Sequence, residues 1–360
     1  MIDTKHQAAA SAPDAAEDVT LSVVMPNYNH AEFLPISVAA ILSQLQLPDE
    51  IVIVDDGSTD QSRSVLERLA SAEPRIRLVF NSKNNGAIHS INRGLQVSRG
   101  KYVCLMAADD VAYPDFFSTA MVAFKRFPNV ALFCAEADVQ LMDESESPRQ
   151  IRPVIRPSNE LRAFDPAETR QLLRYNDNFI LPLASMFRRD LLLSEGGFDL
   201  ELGSLADGFL ARRLALKYGF CFAPVTVVRW QVRANSLSRT SSGDSKVVLS
   251  LLAKAETRIS ADPVFPRGYS AIFNRRLRFA TCRIALTSAN PDWGFLQEIG
   301  PQRSIDQALF SVLKKLQGRW NIYLALLWLT LRYRPYSIFA MARTFVRRAW
   351  NRDFCATRRG

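Results

Sequence analysis

The chain has 360 residues, 48% of them hydrophobic, which excludes global disorder and allows one large domain or two. Its five cysteines (Cys104, Cys134, Cys221, Cys282, Cys355) are scattered and never form a Cys-x-x-Cys pair. They argue against a disulfide scaffold or zinc site and for a reducing, cytoplasmic compartment. The net charge of +9 is uneven: residues 1–240 hold 25 Lys and Arg against 29 Asp and Glu, whereas residues 241–360 hold 20 against 7.

Residues 1–18 are rich in Ala, Asp and Ser, a poor signal peptide and an expected disordered tail. Leu21-Ser22-Val23-Val24-Met25 reads as a first strand, closed by Pro26. Apolar residues at helical spacing (Phe33, Leu34, Val38, Ile41, Leu42, Leu45) predict a helix over about 31–45. Ile51–Asp55 is a second strand, and Ser58-Thr59-Asp60 can cap a helix running to about Ser71. Ile76–Phe80, Ala87–Val97 and Tyr102–Met106 read as strand, helix and strand. The strand starts are about 25–30 residues apart with a helix in each interval, the size of a βαβ unit. The expected architecture is therefore an α/β doubly wound, mostly parallel sheet with helices on both faces.

Further on, a helix near Pro114–Phe127 and a strand near Val130–Ala135 precede Asp143–Pro157, whose three prolines suggest an exposed loop. From about Lys246 basic residues interleave with Leu, Phe and Trp at helical spacing. The apolar run Trp320–Leu331 has 12 residues, short of the roughly 20 needed to span a bilayer. The expected organisation is a tail at 1–18, an α/β domain at 19–240 and a basic helical region at 241–360. Three accounts of the basic region stay open. It can lie on an anionic membrane surface, it can pack on the catalytic domain with Arg facing water, or it can bind nucleic acid. The last is disfavoured, since no nucleic-acid module is visible.

Two acidic turns carry the chemistry: Val54-Asp55-Asp56-Gly57-Ser58 and Ala107-Ala108-Asp109-Asp110. Each follows a short buried strand, where open α/β sheets bind ligands. Paired aspartates repel unless a cation or hydrogen-bonding ligand offsets them, which points to a metal-dependent nucleotide site. Familiar phosphate loops fail. There is no Gly-x-Gly-x-x-Gly, and Gly94 to Gly100-Lys101 has the wrong spacing, with Tyr102 in place of a magnesium-binding hydroxyl.

What remains is an ordered series over residues 20–240: Val24-Met25-Pro26-Asn27-Tyr28-Asn29, Ile53–Asp60, Asn84-Asn85-Gly86, Asn92-Arg93-Gly94-Leu95, Gly100-Lys101-Tyr102-Val103, Ala108-Asp109-Asp110 and Gly196-Gly197-Phe198-Asp199. This series resembles the family-2 inverting glycosyltransferases of the GT-A fold. The resemblance implies transfer of a sugar from a nucleotide-sugar, most simply a UDP-sugar, to an acceptor hydroxyl with inversion. It implies Pro26, Tyr28 and Asp56 at the nucleoside, with Tyr28 stacking on the base and Asp56 accepting the uracil imide N–H. Asp55 or Asp60 is expected to cap the following turn.

In the same resemblance Asp109 is the last Asp of an Asp-x-Asp element and would hold Mg²⁺ or Mn²⁺ on the donor diphosphate. The first Asp of that element is Ala107 here. Asp110 tunes that site or caps the next segment. Asp207 matches the Asp of a Glu-Asp pair whose carboxylate serves as general base, with Ala206 in place of the Glu; an N-cap is its structural alternative. Asp199 is expected to fix the turn before it. Arg233 stands where the family carries a metal-proximal His, and as a permanent cation would clamp the diphosphate. The implied acceptor is a lipid-linked or polymeric cell-surface glycan at the inner face of the cytoplasmic membrane. Its pocket is expected within 135–240. Two alternatives are a nucleotidyltransferase on a similar sheet and a catalytically silent sugar- or nucleotide-binding protein, the latter kept open by Ala107, Ala206 and Arg233.

Overall fold

The computed structural model describes residues 20–141, 150–153, 155–232, 243–288, 290–316, 318 and 320–335. Its first half follows the sequence pattern closely. Strands β1 (Leu21–Asn27), β2 (Glu50–Asp55), β3 (Ile76–Phe80) and β4 (Tyr102–Leu105) alternate with helices α1 (Leu34–Leu42), α2 (Ser62–Ala72) and α3 (Ala87–Val97). The strands lie side by side in the order β3-β2-β1-β4, all parallel. α1 begins three residues later than the apolar spacing suggests. Pro35 sits in its first turn, where a missing N–H costs nothing and a helix start is favoured.

Beyond β4 the sheet turns mixed. β5 (Val111–Ala112) and α4 (Phe116–Arg126) lead into β6 (Leu132–Leu141), then β7 (Gln150–Arg152), β8 (Arg162–Phe164), α5 (Pro166–Tyr175), β9 (Ser185–Arg188), α6 (Arg189–Ser194), α7 (Ala206–Tyr218) and β10 (Phe220–Val232). β9 inserts antiparallel between β4 and β6, and β10 runs parallel to β6. β7 lies within the stretch expected to be loop and pairs antiparallel with β6. Residues 142–149 and 154 of that stretch lie outside the described residues.

The period-2 alternation of β1 splits its side chains between two cores. Val23 and Met25 join Leu34, Val38, Leu66, Phe116 and Phe124 on one face; Val24 joins Leu95, Leu210 and Leu214 on the other. Among the described residues five helices follow: α8 (Ser245–Ala261), α9 (Tyr269–Thr287), α10 (Trp293–Ile299), α11 (Ser304–Lys315) and α12 (Trp320–Tyr333). They enclose a third core around Leu252, Cys282, Leu286, Leu296, Phe310 and Leu329. Ile259, Phe265, Tyr269 and Phe273 instead join the second sheet core, so α8 and α9 pack on the α/β unit. Cys104, Cys134, Cys221 and Cys282 are free and buried, and burial pushes their thiols up, to about 12 for Cys134 and Cys282. They act as small hydrophobes.

Candidate functional site

The register of β1 against β2 pairs Asn27 with Asp55, so the turns after both strands emerge together. Asp55 is engaged by its own turn. It accepts from Asn27 Nδ2 at 2.8 Å, from Ser58 Oγ at 2.6 Å and from Ser58 N at 3.1 Å. Asn29, at φ 55°, accepts from Thr59 N at 2.8 Å, and Asp60 accepts from Ala31 N at 3.0 Å. These bonds lace the two turns together. Between them Tyr28 is 40% exposed, which leaves a ring face open to a base.

Asp56 is 2% exposed and shares its oxygens with the loop that opens α3. Oδ1 accepts from Asn81 Nδ2 at 2.6 Å and Asn85 N at 3.0 Å; Oδ2 accepts from Gly86 N at 2.8 Å. A carboxylate offers about four acceptor positions, so one remains for an imide N–H. Arg93 supports the same cluster, donating to Phe80 O at 2.9 Å and to Asn81 Oδ1. The Asn84-Asn85-Gly86 motif and Arg93 thus act as scaffold for Asp56. Asn81 belongs to none of the sequence motifs; its place just after β3 is its one local signal. Gly57 takes φ +70°, and a Cβ there would meet the Lys83 backbone at 2.7 Å. Only glycine fits that crossing.

β4 ends in the second acidic turn. Ser37 of α1 donates to Ala108 O at 2.6 Å and Asp110 O at 3.0 Å. The buried Asp110 accepts from Gln231 N at 3.2 Å and so anchors the turn to β10. Asp109 is half-buried and makes no hydrogen bond or ion pair among the described residues. Of the four aspartates in the two turns, Asp55, Asp56 and Asp110 serve protein donors while Asp109 keeps its oxygens open. Among the described residues no group of three or more His, Cys, Asp or Glu could hold a metal ion. A single hard carboxylate still fits a magnesium-type site, in which substrate phosphates and water complete the shell.

Asp207 reaches the same edge from another direction. β9 runs against β4 with Met186 opposite Cys104, so the preceding 3-10 segment Pro182–Ala184 lies by the carboxyl end of β4. α7 touches that segment as well as β6. Its approach is set by Gly196 and Gly197, at φ +85° and +75°. Asn92 of α3 pins the turn, donating to Phe198 O and accepting from Phe198 N, both at 2.8 Å; a Cβ on Gly197 would lie 2.7 Å from Asn92 Oδ1. Asp199 caps the segment after it rather than the turn before it. It accepts from Glu201 N at 2.9 Å and from Arg258 Nε of α8 at 2.8 Å.

Asp207 is not the N-cap of α7, a place held by Leu205. Burial pushes its carboxyl above the usual carboxylate range, and the Gly208 N–H and the Arg212 charge pull it back only in part. A half-buried carboxylate with raised proton affinity suits a general base. Arg233 lies outside the described residues. Polar groups of β6 also face this end of the sheet: Tyr113 OH donates to Asp138 at 3.0 Å, and Arg156 pairs with Glu136 at 2.8 Å. Neither pair has a local signature, since its members lie 20 or more residues apart. A cavity of about 460 Å³, lined by Asn81, Asn85, His89, Asn92, Arg93 and Leu200 among others, opens beside α3.

Residues 22–194 match the sequence model of glycosyl transferase family 2. The glycosyltransferase YibD of Escherichia coli K12 is 38% identical over 101 residues, covering 28% of this chain and 29% of that protein. The first curated relatives are matched over about a third of their own length. Solved structures share the fold, two of them as follows. The mannosyltransferase PcManGT of Pyrobaculum calidifontis, in complex with GDP-Man and Mn²⁺, aligns with a TM-score of 0.54 at 21% identity, over 94% of this chain and 90% of that one. S. aureus TarS 1–349, in complex with UDP-GlcNAc, aligns with a TM-score of 0.53 at 14% identity, over 88% of this chain and 91% of that one.

Proposed function

We propose that the chain, whose residues 22–194 match glycosyl transferase family 2 and whose fold is GT-A, moves a sugar from a nucleotide-sugar to an acceptor hydroxyl with inversion, most simply from a UDP-sugar. The observation that carries this reading is that Asp56 and Asp109 follow the parallel strands β2 and β4 at the carboxyl edge of one sheet, Asp109 with no hydrogen bond or ion pair among the described residues, while α7, which bears Asp207, packs on the segment beside the end of β4. Tyr28 and Pro26 border the nucleoside, and Asp56 accepts its imide N–H. Asp109 would hold Mg²⁺ or Mn²⁺, which when bound would supply positive charge to offset the negative charge developing on the leaving group. Asp207 takes the proton of the acceptor hydroxyl as that oxygen attacks the anomeric carbon. The bond to the diphosphate breaks on the opposite face, and the nucleoside diphosphate departs with its electron pair. Arg233 is assigned to the diphosphate by sequence position alone.

Incubation with a panel of UDP- and GDP-sugars, acceptor glycans and Mn²⁺, followed by NMR of the product, tests this. The expected product carries the anomeric configuration opposite to the donor's. Nucleotide binding without turnover of any donor would favour a silent binding protein; retention would overturn the single-displacement step.

The acceptor in this reading is a lipid-linked or polymeric glycan at the inner face of the cytoplasmic membrane. The surface of α11 and α12 supports it. Trp320, Tyr323, Leu324, Leu327 and Leu331 recur at helical spacing and are all exposed, as are Ile305, Val312 and Leu316 beside them. Residues 301–360 hold 12 Lys and Arg against two Asp, and one of those, Asp306, is buried against Arg332. Apolar and aromatic stripes among basic residues suit an anionic lipid surface. Among the described residues no helix is long and apolar enough to cross a membrane. Sedimentation with phosphatidylglycerol vesicles should capture the protein, phosphatidylcholine alone should not, and Leu324→Glu with Leu327→Glu should release it. Unchanged capture of that variant would exclude this face; a salt-independent dimer lost in the same variant would assign the face to a second copy.

A further inference from the structure

Four polar side chains from three separate elements meet in one buried cluster beneath α7. Asp177 follows α5 and is 5% exposed. Its carboxylate accepts from Tyr269 OH at 2.8 Å and Arg212 Nε at 3.3 Å, and pairs with Arg276 Nη1 at 3.1 Å. Arg212 belongs to α7, whereas Tyr269 and Arg276 belong to α9 of the C-terminal helices. Arg212 also donates to Asp177 O at 3.2 Å and, through Nη1, to Gly208 O at 2.8 Å. Gly208 is the residue after Asp207, and a Cβ there would sit 2.9 Å from the same Nη1. The guanidinium therefore lies directly against the first turn of α7.

Such a cluster is an inefficient way to gain stability. Buried ion pairs are often matched or bettered by apolar residues of the same volume. What it does provide is a fixed place for one cation. The Asp177 carboxylate resists the desolvation of its burial because Arg212 and Arg276 hold it below the usual range. Tyr269 is itself clamped, stacked with Phe265 at 5.7 Å and against Phe273 at 6.4 Å.

We propose that Arg212 is a positioning residue for Asp207, locked by Asp177, Tyr269 and Arg276, so that α9 of the C-terminal region forms part of the catalytic unit. The proposal rests on the reading of Asp207 as the base. Arg212 fixes the turn that aims the Asp207 carboxylate, and Asp177 offsets part of the guanidinium charge that would otherwise weaken it as a proton acceptor. Tyr269 supplies a donor that no other element provides to Asp177 Oδ2 except Arg212 itself.

The test compares Tyr269→Phe and Arg212→Lys with Asp207→Asn and with the double variant Asp207→Asn/Tyr269→Phe, in steady-state transfer and in donor binding by calorimetry. Tyr269→Phe keeps the stacked ring and removes one hydroxyl. Misplacement of a catalytic group costs up to roughly a hundredfold. The expected result is a fall in kcat of about ten- to a hundredfold in both single variants with donor affinity unchanged, and no further fall when Tyr269→Phe is added to Asp207→Asn. A merely structural role would lower the rate equally in both backgrounds and overturn the proposal. If Asp207→Asn is inactive while Tyr269→Phe and Arg212→Lys keep full kcat, the base reading stands and the positioning role falls. If Asp207→Asn keeps full activity, both fall.

Discussion

Asp109→Ala is expected to abolish the Mn²⁺-dependent stabilisation by UDP and to remove detectable transfer. UDP at about 100 times its dissociation constant should stabilise the wild type by roughly 2.7 kcal/mol, read as a shift in Tm. The variant should lose that increment yet melt at nearly the wild-type temperature without ligand, because Asp109 makes no hydrogen bond or ion pair among the described residues. Asp110→Ala should behave in the opposite way. Its carboxylate is buried and accepts from Gln231 N, so its loss removes a bond that ties the turn to β10. A hydrogen bond to a charged group contributes about 1.5–3 kcal/mol even without ligand. The contrast separates a ligand-facing aspartate from a structural one at the adjacent position. With Ala107 in place of a second carboxylate, metal and nucleotide should each bind weakly alone and well together. A UDP shift that needs neither Mn²⁺ nor Asp109 would transfer the diphosphate to Arg233 and sink the metal assignment.

The parallel half of the fold was legible because β1 to β4 are buried runs separated by amphipathic helices of βαβ length. Local period and tertiary role coincide there. The antiparallel half was not legible. β9 is four residues long and pairs with residues of β4 and β6 that all lie more than 50 positions earlier in the chain, so no local pattern announces it. The acidic turns were legible as sites, but not the division of labour within them. Asp55 and Asp56 are adjacent and chemically identical; only the positions of Ser58, Asn81 and Gly86 decide which is engaged by its turn and which holds the α3 loop. Asp207 was found through a motif lacking its neighbouring Glu, while the cluster behind it joins residues 177, 212, 269 and 276 that share no spacing. Its logic exists only in three dimensions.

Asp207→Asn is expected to lower kcat by about 10²–10⁴-fold, the usual worth of a positioned general base, while leaving UDP affinity intact. The same variant should be more stable than the wild type at neutral pH. The folded-state proton affinity of Asp207 is raised by burial, so ionisation is less favourable in the folded chain than in the unfolded one. The sign follows from linkage. The stability this group contributes is fully present below its unfolded value, near 3.8, and is lost as pH rises through the raised folded value. At neutral pH the wild type carries that loss and the neutral amide does not. The Tm advantage of Asp207→Asn should therefore shrink as the solution is acidified. Wild-type kcat should fall over the same interval, because the base must be ionised to accept the hydroxyl proton. A variant that is both inactive and more stable marks a carboxylate kept for chemistry rather than for folding. An inactive variant that is less stable at neutral pH would instead assign Asp207 to holding the start of α7.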